Sequence, residues 1–271
     1  MVVKSVRSRP QYPFDNAAPQ AGERFASLAK LYDGATGRHL DRLGIGPGWH
    51  CLEVGAGSGS IARFMSERVG STGRVVATDI NTDWIPAPLA ANVEVRRHDI
   101  GVDELAKGAF DLVHERAVLT FVPEREAALT RMIAALKPGG CLLVEELVSP
   151  VTEAAATDNR DNELAQQSRR AIVEVLRRRG GDPVFAHRVA GLILRAGLTD
   201  VGSEGYFVPI RTAAVARLAR ANIDQIGAEM IATGLISSAE LELYRATLDR
   251  PDCLYPASMA LISVWGQRQL S

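Results

Sequence analysis

The stretch HCLEVGAGSG, from His50 to Gly59, decides the fold of this chain of 271 residues. Its first half is a short apolar run that predicts a strand, and its three glycines predict a tight turn before a helix over Ser60–Val69. Glycine suits this turn because the backbone bends sharply and lets a ligand approach without a Cβ atom in the way. A strand, a glycine turn and a helix in this order are typical of open α/β sheets, which bind ligands beyond the carboxyl ends of their strands.

Strands and helices alternate after this stretch. Apolar runs predict further strands over Arg74–Thr78, Val93–Arg97, Phe110–His114 and Cys141–Glu145, a helix over Glu124–Leu136 and a turn at Lys137–Gly140. Short apolar strands separated by helices indicate a parallel sheet that is covered on both faces.

The two ends of the chain depart from this alternation. Residues 1–20 contain three prolines and no period, which predicts an arm, and two helices are predicted after it, one from Ala21 and one over Thr36–Leu43. Later patterns predict helices over 152–179, 183–197, 212–226 and 237–248, and strands over 199–209 and 257–267. We therefore expect one domain, with an N-terminal arm and helices (1–44), a cofactor-binding core (45–150), a lid over the substrate (151–183) and the remaining sheet and helices (184–271).

The composition limits the classes of function. Basic and acidic residues nearly cancel, at 31 against 32, so the charge expected of a nucleic-acid-binding protein is missing. Three widely spaced cysteines without a Cys-x-x-Cys pair argue against a disulfide framework and a structural zinc site. No apolar run approaches the ~20 residues of a membrane span, and the first residues lack an apolar signal core. We expect a cytoplasmic protein without a membrane partner.

Two carboxylates follow neighbouring strands of the predicted sheet. Asp79 ends the second strand, where it could accept hydrogen bonds from both hydroxyls of a ribose, and Asp99 ends the third, where it could accept one from an adenine amino group. Either could instead be a helix cap or a solvated loop residue; together with the glycine turn they favour a nucleoside-containing cofactor. A dinucleotide site requires Gly-x-Gly-x-x-Gly, and Ser60 occupies the last position, which disfavours an NAD-type oxidoreductase.

These motifs resemble those of the class I S-adenosylmethionine-dependent methyltransferases over roughly residues 45–150. LEVGAGSG (52–59) resembles the motif that takes the methionine end of the cofactor, and Asp79 and Asp99 stand where that family has its ribose and adenine acids. FDLV (110–113) and LKPGG (136–140) resemble the fourth-strand motif and the turn before strand five. The resemblance implies S-adenosylmethionine as cofactor and a doubly wound, Rossmann-like sheet of about seven strands, mostly parallel with an antiparallel last strand, plus helical lid segments.

Two further stretches resemble a subgroup of the family, and the family pattern predicts which residues bind the cofactor. YPFDN (12–16) and VWG (264–266) resemble a subgroup of small-molecule methyltransferases common in actinobacteria. The predicted cofactor-binding residues are Glu53, Gly55, Ala56, Gly57, Asp79, Ile80, Asp99, Ile100 and Glu115.

His114 and Glu146, which end strands four and five, are the candidates for a catalytic role. The imidazole of His114 is the first choice for a base because its pKa lies near neutrality, although strand-end histidines are often structural. Glu146 is the alternative. No metal is predicted, because no second cluster of His and Asp accompanies the adjacent carboxylates.

The expected reaction is methyl transfer to a small, partly apolar natural product. Oxygen is the first choice of acceptor atom, with nitrogen or carbon as alternatives. A non-methylating cyclase, or a scaffold that only retains the cofactor site, stays open, because cofactor motifs can persist where the methyl group is never used.

Overall fold

The computed structural model describes residues 14–148, 160–208, 213–250 and 259–270. Its strands are β1 His50–Val54, β2 Arg74–Asp79, β3 Val93–Arg97, β4 Phe110–Arg116, β5 Leu136–Val148, β6 Thr199–Phe207 and β7 Ala260–Gln267. Its α-helices are α1 Gln20–Arg42, α2 Ser60–Val69, α3 Arg125–Ala135, α4 Arg160–Arg178, α5 Ala186–Arg195, α6 Ala213–Ala232 and α7 Ser238–Thr247, and one 3₁₀ turn covers Leu119–Phe121.

The strands form one sheet in the order β3-β2-β1-β4-β5-β7-β6. Pairs from β3 to β5 are parallel, whereas β7 runs antiparallel to both β5 and β6. This confirms the predicted fold class, including the antiparallel last strand. The strand order reverses between β1 and β4, so a ligand cleft is expected at the carboxyl ends of these two strands.

The N-terminal helices differ from the prediction, because α1 is one continuous helix over Gln20–Arg42. Glycine at position 37 does not break it. A Cβ atom there would lie 3.0 Å from the ring of Phe64 in α2, so Gly37 allows the two helices to pack closely. The helix ends just before Gly44, which adopts a positive φ of 83°.

Strand β5 also differs, because it begins at Leu136 and passes through the predicted turn. Leu136 pairs with Phe110, and the next registered pair is Cys141 with Leu112, so residues 137–140 form a bulge within the strand. At their carboxyl ends both β4 and β5 extend beyond the predicted limits. These extensions place the last acidic residues of each strand in regular strand geometry.

Side chains of the central strands alternate between two buried faces. On one face Leu52, Val113 and Val144 lie in a cluster with side chains of α3 and α5. On the other, Leu112 and Leu143 lie in a cluster with side chains of α1 and α2. Successive residues at a strand end therefore belong to different environments.

A third apolar cluster joins α1 to α4, α6 and α7. We call α4, α6 and α7 the roof, because each contributes residues to the lining of the cavity described in the next section. Helix α4 lies in the predicted lid, whereas residues 1–13 of the arm and 151–159 of the lid are outside the described residues; closure of the lid stays a prediction. None of the helices in the described ranges combines the length and hydropathy that crossing a bilayer requires.

Candidate active site

A cavity of about 700 Å³ lies between the carboxyl ends of the strands and the roof. This volume falls within the range of roughly 300–1,000 Å³ that small-molecule sites occupy. Residues of the glycine turn, Asp79, Asp99 and Glu146 line it on the sheet side. Apolar side chains of the roof, among them Ile172 and Leu218, line the opposite side.

The glycine turn is held in a conformation that other residues rarely adopt. Gly55, Gly57 and Gly59 have φ values of 69°, 57° and 78°. The N–H of Gly57 donates to Asp79 Oδ2 at 2.9 Å. A Cβ atom at Gly57 would lie 3.1 Å from the ring of Phe25, so this position combines a positive φ with close packing. The turn therefore presents backbone, rather than side chains, to the cavity.

Asp79 and Asp99 both line the cavity, as the sequence predicts. The Asp79 carboxylate accepts from the N–H groups of Gly57 and Asn81, each at 2.9 Å. Burial raises the pKa of Asp79, and these donors oppose the shift. Each carboxylate oxygen has two lone pairs, so Asp79 can still accept bonds from ribose hydroxyls. Asp99 Oδ1 accepts from the N–H of Gly101 at 2.9 Å.

The structure brings together all the predicted cofactor-binding residues except one. Those that line the cavity are Glu53, Gly55, Ala56, Gly57, Asp79, Ile80, Asp99 and Ile100. Glu115 does not line it. It is fully buried, and its Oε2 accepts from the N–H of Val118 at 2.9 Å. Its position supports the loop after β4 rather than a contact with the cofactor.

Arg116 lines the cavity where Glu115 does not. Its guanidinium donates to Asp33 Oδ1 at 2.8 Å and to the Thr36 hydroxyl at 3.0 Å, both on α1. Because strand residues alternate between faces, Arg116 lies on the face toward α1, opposite to that of Glu115, and it lines the cavity from there.

His114 is fully buried and does not line the cavity. Its Nδ1 lies 2.6 Å from Glu53 Oε2 and its Nε2 lies 3.2 Å from Glu145 Oε2. Burial lowers the pKa of His114, but the two carboxylates outweigh burial and raise the pKa to about 9. A protonated ring that donates both N–H groups cannot accept a proton. The structure therefore argues against His114 as the base.

Glu145 completes this network on the face toward α1 and α2. Its carboxylate also accepts from the hydroxyls of Thr36 and Ser263, the latter at 2.6 Å. Burial favours a raised pKa for Glu145, but His114 and the two hydroxyls lower it to about 2. We call Glu53, His114 and Glu145 the paired triad.

Glu146 lies on the opposite face and does line the cavity. Its Oε1 accepts from the N–H of Thr120 at 2.7 Å, and its Oε2 has no hydrogen-bond partner among the described residues. Burial raises the pKa of Glu146 to about 7, although donors at Thr120 and Leu119 oppose this shift.

Glu115 is the buried neighbour of Glu146 on the same face. Burial and the nearby Glu146 carboxylate raise the pKa of Glu115 well above its usual range. We call Glu115 and Glu146 the unpaired acids. Within the described ranges, no three side chains of His, Cys, Asp or Glu come together as a metal site would require.

The structure adds a group of residues that the sequence prediction missed. The Arg24 guanidinium lies 4.8 Å from the ring centre of Phe14 and 5.0 Å from that of Phe25, and it donates to Asn16 Oδ1 at 2.7 Å. All four line the cavity. The sequence signal that could have predicted this group is Arg24 beside the apolar face of α1, together with the preceding FDN motif (14–16).

Known proteins resemble this chain in sequence and in structure. Residues 52–144 match the family model described as a methyltransferase domain. The ubiquinone/menaquinone biosynthesis C-methyltransferase UbiE of Laribacter hongkongensis is 33% identical over 150 residues, which are 49% of this chain and 62% of that protein. The chain thus spans less than two thirds of the length of this relative.

Solved structures extend the likeness over most of the chain. Phosphoethanolamine N-methyltransferase 2 of Haemonchus contortus, solved with S-adenosylhomocysteine, gives a TM-score of 0.56 at 17% identity and covers 87% of this chain and 52% of its own. The [4+2]-cyclase SpnF gives 0.52 at 18% identity and covers 89% and 83%. The chain has the methyltransferase fold. With the matched domain, these findings support S-adenosylmethionine as its cofactor.

Proposed function

We propose that this chain transfers a methyl group from S-adenosylmethionine to a small-molecule acceptor, with Glu146 as the base. The observation that carries this proposal is a buried carboxyl whose pKa is raised to about 7, in the cavity that also contains Asp79 and Asp99. A carboxyl with a pKa near the working pH is suited to accept a proton.

The residues of the sheet side fit the cofactor. When bound, S-adenosylmethionine supplies a methyl group on a positively charged sulfur. Asp79 accepts hydrogen bonds from the ribose and Asp99 from the adenine, while the glycine turn leaves room for the methionine end. The roof excludes water from the reacting groups, which strengthens the electrostatic interactions inside the cavity.

Glu146 accepts the proton that an acceptor hydroxyl loses, and methylation at oxygen is the first choice. Methylation at carbon is a second candidate, because the curated relatives are named C-methyltransferases. A carbon atom made nucleophilic by an adjacent hydroxyl also requires that hydroxyl to lose a proton, so both reactions use the same base. The small, partly apolar natural product expected from the sequence suits a roof lined by apolar side chains.

Cofactor binding is tested first by calorimetry with S-adenosylhomocysteine. Asp79→Ala should weaken binding by about 2 kcal/mol or more, because ribose hydroxyls lose a charged acceptor. The matched control is Asp83→Ala, since Asp83 is an exposed acid of the same loop that does not line the cavity. Equal affinity in both variants, or tight binding of NAD by the unaltered protein, would contradict the cofactor assignment.

The base is tested with methyl-labelled cofactor and a screen of phenolic and enolic acceptors. Glu146→Gln should lower turnover by about a hundredfold, within the range attributed to general bases, and leave the affinity for S-adenosylhomocysteine within twofold. The matched control is Glu124→Gln, because Glu124 also lines the cavity but is exposed. Product formation without transfer of the label would favour a non-methylating cyclase.

A further inference from the structure

Arg169 of α4 is one of the roof residues that line the cavity. The side chain is partly buried. Burial is the main influence on it and lowers its pKa, while the Tyr244 hydroxyl acts in the opposite direction. Among the described residues, no carboxylate forms an ion pair with Arg169.

Each of the other arginines of the cavity has a partner among the described residues. Arg24 donates to Asn16 and lies over two aromatic rings. Arg116 pairs with Asp33. Arg131 donates to the carbonyl oxygens of residues 100 and 101 and lies 3.6 Å from Glu104 Oε1. These three guanidinium groups are each engaged by other groups of the protein, whereas no carboxylate among the described residues engages Arg169.

An unpaired cation in an apolar wall is unfavourable by itself. Moving a charged group out of water raises the free energy unless a partner of opposite charge replaces the solvent. The roof residues that line the cavity together with Arg169 include the apolar Leu218 and Ile172 and a few polar ones, such as Tyr244 and Asn222. A ligand anion would remove this penalty.

The guanidinium of Arg169 and the apolar side chains of the roof favour one kind of anion, a carboxylate. A guanidinium presents a planar fork of N–H groups that matches the two oxygens of one carboxylate. A dianionic group such as a phosphate monoester would call for further cationic donors, and the other arginines of the cavity already have partners within the described residues. The apolar side chains beside the fork fit the hydrocarbon part of the same ligand.

We propose that Arg169 binds a carboxylate of the methyl acceptor, so that the acceptor is a small acid with an apolar body. This inference rests on the proposed function, because it assigns the substrate class of that reaction. Arg169 on α4 and Glu146 on β5 then contact the acceptor from two sides of the cavity. Arg169 is a specificity-determining residue that selects charged acceptors over neutral ones.

The probes are the straight-chain ω-phenylalkanoic acids from phenylacetate to 6-phenylhexanoate, and the matching primary amides. Each is titrated by calorimetry into protein saturated with S-adenosylhomocysteine. At least one acid should bind tenfold or more tightly than its amide. Arg169→Gln should abolish this preference, and Arg170→Gln, which alters the exposed next residue of α4, should keep it. Arg169→Lys, which keeps the charge but not the fork, should retain only part of the preference and serves if the glutamine variant does not fold.

Each outcome decides the proposal. It is overturned if no acid binds, if acids and amides bind equally, or if Arg169→Gln keeps the preference. It is also overturned if Arg169→Gln weakens S-adenosylhomocysteine itself tenfold or more, because the guanidinium then binds the amino-acid end of the cofactor. If the unaltered protein does not bind S-adenosylhomocysteine at all, the proposed function fails first, and this result is seen before any acid is added.

Discussion

Glu145 and Glu146 are consecutive residues of β5, yet their carboxyl groups have opposite properties. Glu145 faces α1 and α2 in the paired triad, and its pKa is lowered to about 2. Glu146 faces the other side among the unpaired acids, and its pKa is raised to about 7. Both are almost completely buried. Partners, rather than depth, therefore decide the charge.

The partners come from strands on either side of β5. On the paired face, β4 supplies His114 and β7 supplies Ser263, while α1 adds Thr36. On the other face β4 supplies another acid, Glu115. The sheet therefore has an ionic network, the paired triad, on one face, and on the other face it has Glu146, whose pKa is near neutrality.

The largest expected effect comes from breaking the paired triad. Glu145→Leu leaves the Nε2–H of His114 and the hydroxyls of Thr36 and Ser263 without an acceptor. Loss of one member of a buried ion pair is destabilising by about 3–5 kcal/mol. Urea unfolding followed by circular dichroism measures this difference. A loss below about 1 kcal/mol would mean that water satisfies these donors and that the network has little structural importance.

The second prediction concerns the pH dependence of the triad. The folded-state pKa of His114 is about 9, above its ordinary value of 6.5, so its contribution is fully present below pH 6.5 and is lost as the pH rises through 9. A shift of this size corresponds to about 3 kcal/mol. His114→Gln should lower the free energy of unfolding at pH 6 and flatten its decline between pH 6.5 and 9.

Urea midpoints at several pH values test this expectation. The Glu146→Gln variant is the comparison, because its side chain lies on the other face and it should keep the decline above pH 7. An unchanged profile in His114→Gln would show that the ring is neutral in the folded protein.

The contribution of the unpaired acids to stability should also be lost as the pH rises, but over a lower pH range than that of the triad. Glu146 has a folded-state pKa raised from 4.5 to about 7, so the fold favours its neutral form, and stability falls as the pH rises from 4.5 through 7. Glu146→Gln should therefore leave stability unchanged at pH 4.5 and increase it by up to about 3 kcal/mol at pH 8. Thermal unfolding at the two pH values measures this. Destabilisation at pH 8 would mean that the carboxylate has a partner in solution.

The smallest effect on stability is expected from an exposed ion pair between helix α1 and the sheet. Arg42 of α1 lies 3.1 Å from Glu204 of β6, and the side chains are 60% and 40% exposed. Exposed pairs contribute little to stability because solvent and salt screen them, so Glu204→Gln should shift the urea midpoint only slightly. A loss comparable to that of Glu145→Leu would remove the distinction between buried and exposed pairs on this face.

The sequence predicted the residues that line the sheet side of the cavity, here called the floor, better than it predicted which of them could act as a base. The glycine turn, Asp79 and Asp99 are local features, because each directly follows a strand and neighbouring parallel strands end at the same edge. The residue proposed as the base was harder to predict. His114 and Glu146 both end strands, and only the pairing between strands shows that one meets two carboxylates and the other lies at the cavity.

The remaining differences also arise from packing between distant segments. Helix α1 continues through Gly37 because Phe64 of α2 packs there, a contact between residues 27 positions apart. Glu115 was predicted as a cofactor contact, but its carboxylate accepts from the N–H of Val118 beneath the loop after β4, and Arg116 lines the cavity instead. The sequence does not distinguish Arg169 from the other charged residues of α4, because its partial burial depends on the packing of α4 against α6 and α7.

The separation of floor and roof along the chain has a consequence for how such a protein can change over generations. The residues matched by the methyltransferase-domain model end at position 144, and α4, the first helix of the roof, begins at Arg160. A mutation in the roof can therefore alter which acceptor enters while the contacts proposed for the cofactor stay intact. Evolution can therefore keep the proposed cofactor site and change the acceptor. A library confined to α4, α6 and α7 would explore acceptors against a constant background of cofactor binding.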